Sequence, residues 1–169
     1  LPMVVAMAGV TVAVCDTGID FAHPDLSPRK APSGHKNFTT SNTADFADRQ
    51  GHGSHCSGIV AASDTGDGII GSAPEARLMA VKVLSDQGSG ASTWINAGVI
   101  HAADSGADII SMSLGGGGAD TISYAGAQFV AGDTVDGAER ANAIVAYVRT
   151  NDTDDTFMKY ASLTSEIEA

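Results

Sequence analysis

Apolar and polar positions along the chain fall into alternating blocks. Residues 10–15, VTVAVC, form an unbroken run of apolar and β-branched side chains, the pattern of a strand covered on both faces. Residues 52–62 are mostly small and read as a helix. Residues 77–84, RLMAVKVL, give a second strand. Residues 93–105 carry Ile95, Val99 and Ala102 on one helical face, with Ser92 placed to cap the start and Gly106 placed just past the end. Residues 107–114, ADIISMSL, give a third strand. A helical stretch is predicted from about 121 to 130, weakened by Gly126, and AIVAYV at 143–148 gives a fourth strand. The tail from Asn151 shows no clear period. Strand, helix, strand, helix, strand predicts parallel pairing with right-handed crossovers, an α/β fold.

Composition narrows the class. With 43% hydrophobic and 17% charged residues in 169, the chain has the make-up of one globular domain. The net charge of -11 argues against a nucleic-acid partner, because phosphate binding needs a basic face. No apolar run is long enough to span a membrane. Cys15 and Cys56 are too few for a disulfide framework; they read as two free, buried, small apolar thiols, with a single bridge as the alternative. The opening LPMVVAMAG is apolar but lacks a basic flank, so it is not read as a signal peptide. The chain is expected to be a piece of a longer product.

Candidate chemistry gathers where parallel sheets keep it, at the carboxyl ends of the strands. The first strand ends in Asp16-Thr17-Gly18. The second runs out into Gly88, Ser89 and Gly90, and the third into Ser113, Leu114 and Gly115. The stretch GHGSHCSG at 51–58 opens a helix on the same rim. An aspartate beside a histidine can fix the ring tautomer and leave the far nitrogen free to take a proton. Plainer readings stand beside this one: Asp16 as a turn cap, His52 and His55 as helix-start residues. A zinc site from His52, His55 and Cys56 would need a distant fourth ligand such as His23 or Asp25. The GxGxxG string at 66–71 follows a helix and precedes a strand, the reverse of the dinucleotide pattern, and is discarded.

Four blocks in order, VAVCDTGID with HPDL behind it, GHGSHCSGIVAA, GSAPEARLMAVKVLSDQGSG and ADIISMSLGG, resemble the subtilisin-like serine proteases. The His55-Cys56 pair is closer to the proteinase K branch. This resemblance covers roughly residues 10–116. It implies a three-layer sheet with helices on both faces, incomplete here at both ends. Asp16 would orient the base, His52 would be the general base, and His55 would be structural. Gly88, Ser89 and Gly90 on one side, and Ser113, Leu114 and Gly115 on the other, would pair with an extended polypeptide substrate. Asp25 with the loop 63–69 resembles a family calcium site; an ordinary acidic surface loop is the equal alternative. Catalysis would need no cofactor, and the family leads one to expect secretion.

The family's nucleophile lies in a Gly-Thr-Ser-Met-Ala-type turn, and no such string occurs here. Ser54, Ser57 and Ser63 belong to the histidine helix, Ser72 precedes Ala-Pro, and Ser89 and Ser113 belong to the substrate edges. Ser162 and Ser165 lack the glycine and helix start that would expose a hydroxyl. The oxyanion asparagine would be Asn151, with a simple turn residue as the competing reading. Residues 117–169 match the family poorly. The chain alone is therefore expected to be inactive, marginally stable and dependent on a missing carboxyl-terminal part of the domain. A non-catalytic peptide-binding relative and a metal-dependent hydrolase are the alternatives.

Overall fold

The computed structural model describes residues 8–115 with their side chains, and residues 120–124 and 127–131 by backbone alone. The elements are β1 (Thr11–Asp16), β2 (Lys36–Asn37), α1 (His52–Ala61), β3 (Arg77–Lys82), α2 (Ser92–Asp104), β4 (Ile109–Ser111), β5 (Asp120–Tyr124) and β6 (Ala127–Ala131), with a 3₁₀ turn at Ser27–Arg29. The first four strands form one sheet in the order β2-β3-β1-β4, every pair parallel. Val12 sits opposite Leu78 on one side and Ile109 on the other, and Asp16 ends level with Lys82.

Strands β1 and β3 are buried at every position after the first, and successive side chains join clusters on opposite faces of the sheet. Ala13, Cys15, Met79, Val81 and Ile110 pack with Val99, Ala102 and Ala103 of α2. Val12, Val14, Leu78 and Ala80 pack with Ala61 of α1 and with Ile19 and Leu26 from the loop after β1. The expected α/β architecture, a parallel sheet with helices on both faces, is what the chain forms. Each large aliphatic side chain buried there contributes about 1.5–3 kcal/mol. Helix α1 joins β2 to β3 and helix α2 joins β3 to β4, both steps running the same way across the sheet. The helices nevertheless lie on opposite faces, so the two crossovers have opposite hands, and the expectation of uniformly right-handed connections fails for one of them. The strands being parallel, the loops after β1 and β3 and the start of α1 share the carboxyl-end rim.

The helices differ in how they are seated. Helix α1 buries Gly53, Ser57 and Ala61, three small residues spaced four apart. Helix α2 ends on Gly106 at φ +83°. There the Gly106 N–H reaches the Ala103 carbonyl and the Ala107 N–H reaches the Ala102 carbonyl, the paired bonds of a Schellman stop. Ser92 does not cap this helix. Ala91 has the extended backbone of the flanking position and Ser92 is already helical, so its hydroxyl cannot reach the first turn's amides. Strand β4 begins later than the pattern predicts because Ala107 is used in the helix stop, and it ends at Ser111, short of the predicted Leu114.

The predicted helix at 121–130 is wrong. β5 and β6 pair antiparallel, with Ile122 opposite Phe129 and Tyr124 opposite Ala127. Thr, Ile, Tyr, Phe and Val favour strands, and two residues including Gly126 between such runs are a hairpin signal. The strand predicted at 143–148, Asn151, Ser162 and Ser165 lie outside the described residues.

One strand partner is a side chain. The β3 edge bridges Lys30 at Leu78 and pairs with β2 at Val81 and Lys82. Between them, the Ala80 N–H donates to His35 Nδ1 at 3.0 Å, while His35 Nε2 donates to the Ala31 carbonyl at 2.9 Å. The ring stacks on Phe46, 4.7 Å between centroids. Burial, with the Lys30 charge adding to it, holds this imidazole below its ordinary pKa of 6.5, against the Ala31 bond that raises it. Because the folded value is depressed, the unfolded chain binds the proton more readily. The stabilisation is complete above the unfolded pKa and is lost as pH falls below it. Urea unfolding should show a lower midpoint at about pH 5.5 than at about pH 7.5, with the drop reduced in His35→Phe. An equal drop in both proteins would remove His35 as the cause.

Candidate active site

Asp16 is the last residue of β1 and has no exposed surface. Its carboxylate accepts the Thr17 N–H at 2.7 Å and faces His52 Nδ1 at 2.9 and 3.0 Å. With both carboxylate oxygens against Nδ1, that nitrogen carries the proton of the neutral ring, which then presents its lone pair at Nε2. The His52 side chain is 41% exposed, so Nε2 is open to a reacting group. Residues 36 positions apart are thus joined as an acid-oriented base.

The sequence reaches this contact through two backbones without side chains between them. Gly18 turns the chain out of β1 at φ +111°, and a Cβ there would meet the Phe46 carbonyl at 2.5 Å. Gly53 is the second residue of α1. A Cβ on it would press into the Gly18 carbonyl and stand 3.1 Å from Thr17 Oγ1 and 3.2 Å from Asp16 Cβ. Any side chain at Gly53 would push His52 away from Asp16.

Asp48, which the sequence reading did not single out, stands beneath the start of α1. Its Oδ1 accepts from the Gln50 N–H at 3.0 Å, the Gly51 N–H at 2.9 Å and Thr17 Oγ1 at 2.9 Å. Its Oδ2 accepts from the Ser54 N–H at 2.9 Å and Ser54 Oγ at 2.7 Å. Burial alone would push this carboxyl up. The bonds from Gly51, Ser54 and Gln50 outweigh it and hold the pKa at about 2. An acid just ahead of a helix whose N-cap is a glycine was the available signal.

Lys82 was also missed. It is 2% exposed, and its ammonium donates to the Thr17 carbonyl and to Asp86 Oδ1 at 2.9 Å. A lysine inside a strand read as core was the signal, since a buried ammonium demands partners.

Cys56 lies one turn along from His52, its Sγ 3.9 Å from both ring nitrogens. Equal distances put the sulfur on the plane bisecting the two nitrogens, off the lone-pair direction of either. Burial pushes the thiol pKa up, against a hydrogen bond from Ser113 that lowers it. Such a thiol is not an activated nucleophile.

The structure brings both predicted substrate edges to the His52 helix. Gln50 Oε1 accepts the His52 N–H at 2.8 Å, and its Nε2 lies 3.3 Å from where a Gly88 Cβ would stand. The Ser85 N–H to Ser89 carbonyl and Gly88 N–H to Ser85 carbonyl bonds fix the turn before Gly90. On the other side Ser113 touches Cys56. Leu114 is half-buried and Gly115 exposed.

Metal chemistry fits less well. Among the described residues, the one group of three His, Cys or acidic ligands close enough to share an ion is Asp16, His52 and Cys56, within 4.8 Å of one another. His55 is exposed and does not join them. The alternative zinc set of His52, His55 and Cys56 is therefore not assembled among the described residues. Asp25 binds Thr65 Oγ1 through its Oδ1 at 3.1 Å, and its main-chain carbonyl accepts Ser63 Oγ at 3.0 Å. Among the described residues no group of three such ligands gathers there. A lone carboxylate with loop carbonyls is weak but admissible calcium chemistry.

Comparison with known proteins follows the same lines. A model of the "Subtilase family" matches residues 7–166. An intracellular serine protease of Paenibacillus polymyxa is 50% identical over 111 residues, which cover 64% of this chain and 33% of that protein. Thermitase of Thermoactinomyces vulgaris is 38% identical over 92% of this chain and 61% of its own length. The solved structure of sphericase superposes with a TM-score of 0.58 at 41% identity, covering 64% of this chain and 38% of that one. The chain spans about a third of the length of the Paenibacillus relative it matches. A relative named as intracellular means that secretion does not follow from this kinship.

Substitution of Gly53 tests the backbone contact. Gly53→Ala should lower unfolding free energy by about 1–3 kcal/mol through overpacking. Gly58→Ala on the same helix, with nothing within 4 Å of its Cβ position, should stabilise by about 0.5–1 kcal/mol. Urea unfolding of the two variants measures both; equal effects would remove the Gly18–Gly53 contact as the constraint.

Proposed function

The chain belongs to the subtilase family, and from that membership we propose that it carries the acid–base half and both substrate edges of a serine-type endopeptidase. The observation that supports this most directly is the bond from His52 Nδ1 to the buried Asp16 carboxylate, with Nε2 left open. In this reading Nε2 takes the proton of a serine hydroxyl as that oxygen attacks the peptide carbonyl. Asp16 holds the ring orientation and stabilises the imidazolium that forms. His52 then returns the proton to the leaving amine. An extended peptide pairs its main chain between Gly88, Ser89 and Gly90 and Ser113, Leu114 and Gly115, which grips it without demanding one sequence. Asn151 is the proposed oxyanion donor and Asp25 the proposed calcium ligand; neither enters a proton-transfer step. An extracellular location is part of the same proposal.

The residues contain no Gly-Thr-Ser-Met-Ala-type turn, so the 169-residue chain is proposed to be inactive by itself. That favours a second reading in which the two edges bind peptide without cutting it. The test uses both forms. The complete gene product should label with a fluorophosphonate and cleave extended peptides. His52→Ala in it should lower turnover by on the order of a million-fold, the loss measured in subtilisin itself when the triad histidine is removed. The 169-residue chain should show neither activity yet bind extended peptides saturably. No labelling of the complete product would overturn the endopeptidase reading, and no saturable binding would overturn the second.

A further inference from the structure

Two hydroxyls cross-stitch the Asp16 segment to the His52 helix. Thr17 Oγ1, beside Asp16, accepts the Gly53 N–H at 2.9 Å and donates to Asp48 Oδ1. Ser54 Oγ, on the helix, accepts the Asp20 N–H at 2.9 Å and donates to Asp48 Oδ2. Each hydroxyl thus takes an amide from the opposite segment and gives its proton to the same carboxylate. An ionised carboxylate has only acceptor sites, so neither relay can run backwards. Both hydroxyl protons are committed to Asp48, and both lone pairs are left for the cross-segment amides. Asp48 also takes the Gln50, Gly51 and Ser54 amides, which the helix start leaves without intrahelical partners.

We propose that Asp48 is a positioning residue for the general base: by orienting the Thr17 and Ser54 hydroxyls it sets the distance between Asp16 and His52. Asp48 touches neither His52 nor the peptide path between the two edges. It acts through Thr17, whose N–H already holds Asp16 Oδ1, and through Gly53, the neighbour of His52. Substitution with Asn would place an amide NH₂ where one hydroxyl must donate, and that relay would break. Thr17→Val removes the other hydroxyl with little change of shape. Thr17→Ser keeps it.

This inference rests on reading Asp16 and His52 as an acid–base pair, but its test needs no turnover. In ¹⁵N-labelled protein, the His52 Nδ1–H resonance and its exchange with solvent are followed in wild type, Asp48→Asn, Thr17→Val and Thr17→Ser, with circular dichroism confirming the fold. Thr17→Val and Asp48→Asn should lose the hydrogen-bonded Nδ1–H signal, because a loosened Asp16 no longer protects that proton from exchange. Thr17→Ser should restore it. If Asp48→Asn does not fold, the Thr17 pair decides. Variants that melt at lower temperature while His52 keeps its resonance, or a Thr17→Ser protein that behaves as Thr17→Val does, would overturn the proposal and leave Asp48 as a helix cap only. Either result stands apart from whether the complete gene product cleaves peptides.

Discussion

A carboxylate with no exposed surface must find donors or give up its charge, and Asp16 is in that position at the end of an inner strand of the sheet. Its two donors are the next amide along the chain and the ring of His52. The first comes from the local turn. The second has to be delivered by an element from elsewhere, and the Gly18 turn and the bare Gly53 backbone both serve that delivery. The crossover topology makes it possible, because the start of α1 and the ends of β1 and β3 open on one rim.

Charge at this rim is organised in one connected set. Lys82 balances the buried end of the sheet by holding the Thr17 carbonyl, and its second bond reaches Asp86 in the turn that leads to Gly88. Asp86 lies 3.8 Å from Arg49, whose guanidinium grips both oxygens of Asp45. Asp48 sits between these groups and the helix. The turn after β3 and the loop before α1 are therefore tied to the same residues that surround the Asp16–His52 contact. The outer members are exposed and screened by solvent, so their value is in geometry more than in energy.

Much of this was legible. The run VTVAVC announces a doubly covered strand, and Asp16 and His52 follow from glycine-flanked positions at strand and helix ends. Gly106 announces its own helix stop. What was not legible depended on tertiary contact or on local competition. Asp48 looks like any surface acid until the amides of 50, 51 and 54 are seen to converge on it. His35 looks like a loop residue until it fills the gap in the β3 edge. Ser92 resembled a cap because serine favours that place, but the chain bends into helix one residue earlier. The stretch 121–130 misled because Ala and Gln mask the β-branched and aromatic residues that set the hairpin.

Helix α1 rests on the sheet through Gly53, Ser57 and Ala61. Two of these side chains have no rotamers and the third has one short torsion. Of the α1 residues packed on this core, Val60 alone is a branched aliphatic. As larger side chains around the contact begin to hop between wells on warming, few of them have a lever arm on the helix axis. The backbone that carries His52 is therefore held by close approach, and the ring's own two torsions are left to the Asp16 carboxylate to fix.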